Sequence, residues 1–235
     1  MAKKKETDKR EMIIGLLKDK SIMKQDVYKN TIQTFGTIRE LCKEVSADLK
    51  SELAKVDKRV SLSFTDVNVH AFQLKVAGDM LEFYMHTNVF EFEKSHPMHK
   101  TGYIKNNEFN SYCGIINVYN FLADSFQFNR LNDLGYLVGR IFVNREMKFF
   151  IEAKGPIGIK YNSFSVEPLT KETLKEILYD FIIWVISFDL FTPPFDAVRE
   201  VSVNEMQEKT SSVSLRTGKR LGFGTTDNYE DEMNL

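Results

Sequence analysis

Cysteine is scarce in this chain. The two among 235 residues, Cys42 and Cys113, stand far apart and outside any paired metal-ligand spacing. A disulfide-stapled scaffold and a cysteine-rich zinc module are therefore excluded. The thiols are expected to be free and buried, as in a reducing cytoplasm. No uncharged apolar stretch follows the opening Met1-Ala2-Lys3-Lys4-Lys5, so no secretory leader is expected. The longest apolar run lies within residues 174–191, but Asp180 and Asp189 bracket its middle. A membrane span needs roughly 20 apolar residues, so this run is expected to be a buried helix and no membrane contact is expected. Strong charge of one sign is missing too, at a net charge of −1 and a pI of 6.5. That disfavours nucleic acid as a partner, because gripping phosphates needs a concentrated basic face.

Catalytic signatures are also lacking. No Gly-x-Ser-x-Gly elbow and no His-Glu-x-x-His helix occurs. The segment Lys154-Gly155-Pro156-Ile157-Gly158-Ile159-Lys160 has the glycines of a phosphate loop without their order, and Pro156 lacks an N–H donor. It reads as a turn between strands.

What remains is ample for one core, with 43% hydrophobic and 28% charged residues, including 19 Phe. Residues 1–10 are polar and expected to be flexible. Met12, Ile13, Leu16 and Leu17 recur at helical spacing, and an interruption is expected between Lys18 and Ser21. A longer helix follows, with the stripe Phe35, Ile38, Cys42, Val45, Leu49, Leu53 and Val56. It packs either on the chain's own sheet or against a second copy. From Val60 the period falls to two, the mark of strands. Leu62 and Phe64, then Phe72 to Val76, then Leu81 to Met85 alternate with polar residues, with Gly78-Asp79 as the hairpin turn. Pairing is expected to continue over residues 89–93, beyond which 94–110 form a loop. Residues 115–119, 137–143 and 148–152 read as strands, the last two joined by Asn144-Arg145-Glu146, and 164–166 as a further short one. Residues 121–130 stay open between helix and strand. Thr170 caps a last helix, apolar almost all round, that Pro193-Pro194 ends.

The expected class is α+β: an antiparallel meander of five to seven strands flanked by a long N-terminal helix and a buried C-terminal helix. One domain covers residues 11–200, helical over 11–57, sheet over 60–167 and core helix over 170–191. Residues 201–235 form a flexible tail.

His96 and His99, three residues apart, are the candidate metal ligands, with His86, Glu91 or Glu93 as a third. Arg216, Lys219 and Arg220, in a glycine-containing basic segment, are the candidate anion site. No motif names a cofactor or a catalytic residue. A non-catalytic module binding a small ligand or a protein partner is the leading reading. Its rivals are an enzyme with a spatially assembled site, drawing on His96, His99, Arg140 or Glu152, and an assembly subunit that forms homo-oligomers through its long helix.

Overall fold

The computed structural model describes residues 2–188, 192 and 194–211. It opens on a continuous helical rod. Helix α1 (Ala2–Leu16) runs through a π-turn (Leu17–Ser21) into α2 (Ile22–Leu53). The expected interruption falls on the π-turn, but the chain does not break there. Lys18, Asp19 and Lys20 hold no Gly or Pro, so the backbone absorbs the misfit by widening one turn. At 1.5 Å per residue the rod is roughly 80 Å long.

Seven strands follow: β1 (Leu62–Asn68), β2 (Ala71–Val76), β3 (Asp79–Met85), β4 (Phe90–Glu91), β5 (Tyr112–Leu122), β6 (Tyr136–Val143) and β7 (Phe149–Ala153). Their order is β1-β2-β3-β5-β6-β7, with β4 pairing the first residues of β5. Every pairing is antiparallel. The chain is thus an α+β protein built on an antiparallel meander.

Several local readings shift. Val76 pairs with Asp79, so the β2–β3 turn is Ala77-Gly78 rather than Gly78-Asp79. Ala77 takes the positive φ, at 53°. Residues 121–130 divide, β5 continuing to Leu122 before the short helix α4 (Ala123–Gln127). Residues 164–166 form no strand. They cover the β7 edge instead, Ser165 N–H donating to the Phe149 carbonyl at 2.8 Å. The glycine segment after β7 is a short helix, α5 (Gly155–Lys160), and not a turn between strands. Pro156 sits in its first turn, where a missing N–H costs no helical hydrogen bond. Gly155 enters it at φ 66°, beneath Trp184; a Cβ there would lie 2.6 Å from the indole.

Helices α2 and α6 (Lys171–Ile186) pack on one face of the sheet. The inward-facing residues of β1–β3 and β5–β7 meet Phe35, Ile38, Leu41, Cys42 and Val45 of α2, and Leu174, Ile177, Leu178, Phe181, Ile182 and Val185 of α6. The Phe35–Val45 stripe therefore belongs to the core of its own chain. Leu49 and Leu53 continue it half-buried, whereas Val56 is exposed. Thr170 caps α6 as expected, its Oγ1 accepting from Thr173 N–H at 3.2 Å. The helix is buried on one side only: Ile183 and Ile186 are exposed and Trp184 is half-buried, since the sheet and α2 cover a single face. Its expected last residues, 189–191, lie outside the described residues.

Residues 92–111, with the short helix α3 (Gly102–Asn106), fold over part of the opposite sheet face. Met98 and Ile104 pack there on Cys113, Phe142 and Phe150. Beyond α6 come α7 (Phe195–Val198) and α8 (Val203–Ser211), the latter within the span expected to be a flexible tail. Among the described residues no helix is long and apolar enough to cross a membrane.

Candidate functional site

The rod changes environment part-way along. From Met23 through Val27, Thr31, Phe35, Ile38 and Leu41 to Val45, its stripe is buried. Upstream, Met12, Ile13, Leu16, Leu17 and Ile22 are between 54% and 68% exposed. Lys9, Met12, Ile13 and Leu16 share one helical face, at spacings of three and four. Upstream of the body the rod thus carries about two turns with uncovered apolar side chains. Residues 8–24 carry five basic side chains (Lys9, Arg10, Lys18, Lys20, Lys24) against three acidic ones (Asp8, Glu11, Asp19). This arm is therefore both apolar and basic.

Its root is fastened by one tyrosine. Tyr112, in the first position of β5, is buried with Met23 and Val27. The ammonium groups of Lys20 and Lys24 lie 5.2 Å and 5.6 Å from its ring centre. Its hydroxyl donates to Glu91 Oε2 at 2.6 Å, and Lys94 approaches the same carboxylate at 3.3 Å. The tyrosine's hydrogen bond, against some cost of burial, holds the Glu91 carboxyl below its ordinary range. The adjacent Tyr112 hydroxyl raises the Lys20 amine. Beside this clamp an open cleft of about 500 Å³ is lined by Lys24, Gln25 and Tyr28 of α2 and by Thr87, Asn88, Val89 and Phe90 before β5. Phe90 is exposed at its rim.

Between α2, α6 and the sheet the described residues pack tightly. The gap among Ile38, Phe83, Ile141, Leu174 and Phe181 is too small for a water molecule. Buried phenylalanines pack against one another, Phe72 stacking on Phe83 at 4.8 Å and Phe142 on Phe150 at 4.6 Å.

The predicted ligand and catalytic residues are dispersed. His96 stacks on Phe92 at 4.7 Å, and its Nδ1 accepts from Met98 N–H at 3.3 Å. His99 Nε2 meets the Phe92 carbonyl at 3.1 Å. Both rings thus have backbone partners within their own loop. His86 Nδ1 accepts from Asn88 N–H, Glu91 is held by Tyr112, and Glu93 accepts from Ser95. Among the described residues no group of three His, Cys, Asp or Glu is placed to hold a metal. Arg140 pairs with Glu152 across β6 and β7, its Nε and Nη2 both donating to Oε2, the former at 2.8 Å. Arg216, Lys219 and Arg220 lie outside the described residues.

One polar cluster escaped sequence reading. Asn120, Asp79 and Tyr136 are buried together, Asn120 Nδ2 lying 2.7 Å from Asp79 Oδ1 and 3.2 Å from the Tyr136 hydroxyl. Asn120 continues the inward alternation of Ile116 and Val118, and that parity was its only signal.

Compared with known proteins, the chain matches no family model, no curated protein and no solved structure. The arm and the cleft at its root are therefore read on their own chemistry.

Proposed function

We propose that this chain is a protein-interaction module whose docking element is the N-terminal arm. One observation carries the reading: the rod's inward stripe is buried from Met23 to Val45, whereas Met12, Ile13, Leu16 and Leu17 upstream of it stand exposed on adjacent turns. Exposed aliphatic side chains scattered singly need no explanation, but Met12, Ile13, Leu16 and Leu17, four within six residues, make a patch. Helices with such a stripe dock by laying it into a partner's groove or against a partner helix.

Magnitude favours a charged partner. Covering four half-exposed aliphatic side chains returns about half of the roughly 1.5–3 kcal/mol each is worth, about 3–6 kcal/mol in all. Bringing two molecules together costs roughly 4–15 kcal/mol. Apolar contact alone barely offsets that, so the partner segment must also be acidic, to pair with Lys9, Arg10, Lys18 and Lys20. The cleft beside Tyr28 and Phe90 gives such a segment a place to end.

The test places a photoreactive phenylalanine analogue at Leu17 or at Asp48, an exposed control position farther along the rod. The full chain is then irradiated in the cells that make it. A discrete adduct at Leu17 that is missing at Asp48 is expected. The same adducts at both positions, or none at Leu17, reject the reading.

A further inference from the structure

We infer that the cleft at the root of the arm receives the carboxyl-terminal residue of the acidic partner segment, its α-carboxylate on Lys24 and its apolar side chain against Tyr28 and Phe90. The inference rests on reading the arm as the docking element, and it names the group at which the docked segment ends.

Charge and chemistry point to that group. Lys24 is half-buried in the wall of the cleft, and its ammonium stands 5.6 Å from the centre of the Tyr112 ring. Among the described residues no carboxylate lies within ion-pair distance of it; Glu91, the acid of the clamp, is engaged by the Tyr112 hydroxyl and by Lys94. A cation that leans on a ring rather than an acid stays available to an incoming anion, and its half-buried setting screens that attraction less than open water does. Around it Tyr28, Val89 and Phe90 give the cleft apolar walls, and Gln25, Thr87 and Asn88 give it polar ones. An internal Asp or Glu of a partner brings a carboxylate without an apolar side chain, and an internal Leu or Phe brings the reverse. Neighbouring residues of an extended segment point the two to opposite sides. The last residue of a chain carries both on one Cα, and so matches a cleft that sets an ammonium among apolar walls.

The rim favours a peptide over a free small acid. Thr87, Asn88 and Val89 lie between β3 and β4, outside both strands. The Asn88 N–H is taken by His86 Nδ1 at 3.0 Å, whereas the N–H groups of Thr87 and Val89 meet no acceptor among the described residues. An extended peptide supplies carbonyls for such groups along its length. Lys20 stands on the same tyrosine ring as Lys24, one turn back toward the arm. With its end on Lys24, the segment therefore runs parallel to the rod, its earlier carboxylates toward Lys20, Lys18 and Arg10.

The experiment titrates the isotope-labelled full chain at low salt with two forms of one probe, following backbone amide resonances. The probe is a pentapeptide of Asp and Glu ending in leucine, either with a free carboxyl terminus or as the carboxyl-terminal amide. The free acid is expected to shift the amides of residues 87–90 and those of Gln25 and Tyr28. The amide form should bind about tenfold more weakly, as loss of one charge-assisted hydrogen bond implies. Lys24→Gln should weaken the free acid about tenfold, leave the amide form unchanged and so abolish the difference, whereas Lys24→Arg should keep it. Lys29→Gln, which alters an exposed lysine of α2 outside the cleft, should keep the difference too. Amides remote from the cleft, unshifted in each variant, show that the variant is folded. Equal affinity for the two forms, shifts confined to the arm or spread over the body, or no shift with either form each overturn the inference. A difference that survives Lys24→Gln overturns it as well. None of these alters the adduct expected at Leu17 in cells, so failure at the cleft and failure of the docking arm are told apart.

Discussion

Two leucines on the same rod should respond very differently to the same truncation. Leu41 is fully buried among the residues that join α2, α6 and the sheet. Leu16 belongs to the upstream part of the stripe and is 54% exposed. Leu41→Ala removes buried methyl groups and leaves a cavity in a packed interior, at about 2–5 kcal/mol. The upper half of that range is expected, because sheet and helices close on the site from both sides and leave little freedom to collapse. Leu16→Ala removes little buried area, and Ala is the better helix former, so its change should stay within about 0.5 kcal/mol. Urea denaturation followed by circular dichroism and by Trp184 fluorescence measures both, with coincident transitions as the check on two-state behaviour. A loss above about 1.5 kcal/mol for Leu16→Ala would mean that the arm packs on the body. A loss below about 1 kcal/mol for Leu41→Ala would remove α2 from the core.

Three further outcomes follow from the structure. Cys42 and Cys113 are buried, and burial pushes both thiols well above their ordinary range; a thiol reagent at mildly alkaline pH should label neither until the chain unfolds, and fast labelling would contradict the packing. Burial, and then its hydrogen bond to Asp180, push Tyr161 up to about 12. A folded value above the unfolded one, near 10, stabilises fully below about pH 10 and is lost between about pH 10 and 12. The difference in phenolate absorbance between the parent and Tyr161→Phe should therefore rise near pH 12, and a rise near 10 would refute the burial. Ala77→Gly should be neutral or stabilising by up to about 1 kcal/mol, since glycine removes the Cβ strain at φ 53°; a clear loss of thermal stability would show that the turn is not formed this way.

The meander was legible because its signal is local. Strands with one face on the core write period-two alternation into the sequence, and β2, β3 and β6 follow it within a residue or two. Turns were read less well. At β2–β3 glycine marked the corner, but register across the sheet put the positive φ one residue earlier, on Ala77. Helix α6 looked apolar all round, yet a single sheet and one neighbouring helix leave Ile183 and Ile186 in solvent. The arm shows the limit most clearly. Met12, Ile13, Leu16 and Leu17 were readable as a helical stripe, but a buried stripe and an open one have the same spacing. Only the extent of the sheet beneath α2, fixed by pairings between residues far apart in sequence, decides where cover ends. The clamp of Lys20 and Lys24 on Tyr112 was invisible for the same reason, since β5 lies some ninety residues downstream.

Amide hydrogen exchange along the rod of the full chain is the direct measure of the arm's role. A helix end without tertiary cover is marginal in water, so its protection reports what lies on it. Amides between residues 27 and 45 should exchange only with global unfolding, equally in the parent chain and in Ile13→Glu, Leu16→Glu. Amides between 12 and 22 should exchange faster than these in both. Arm amides as protected as the body would contradict an arm left open for docking.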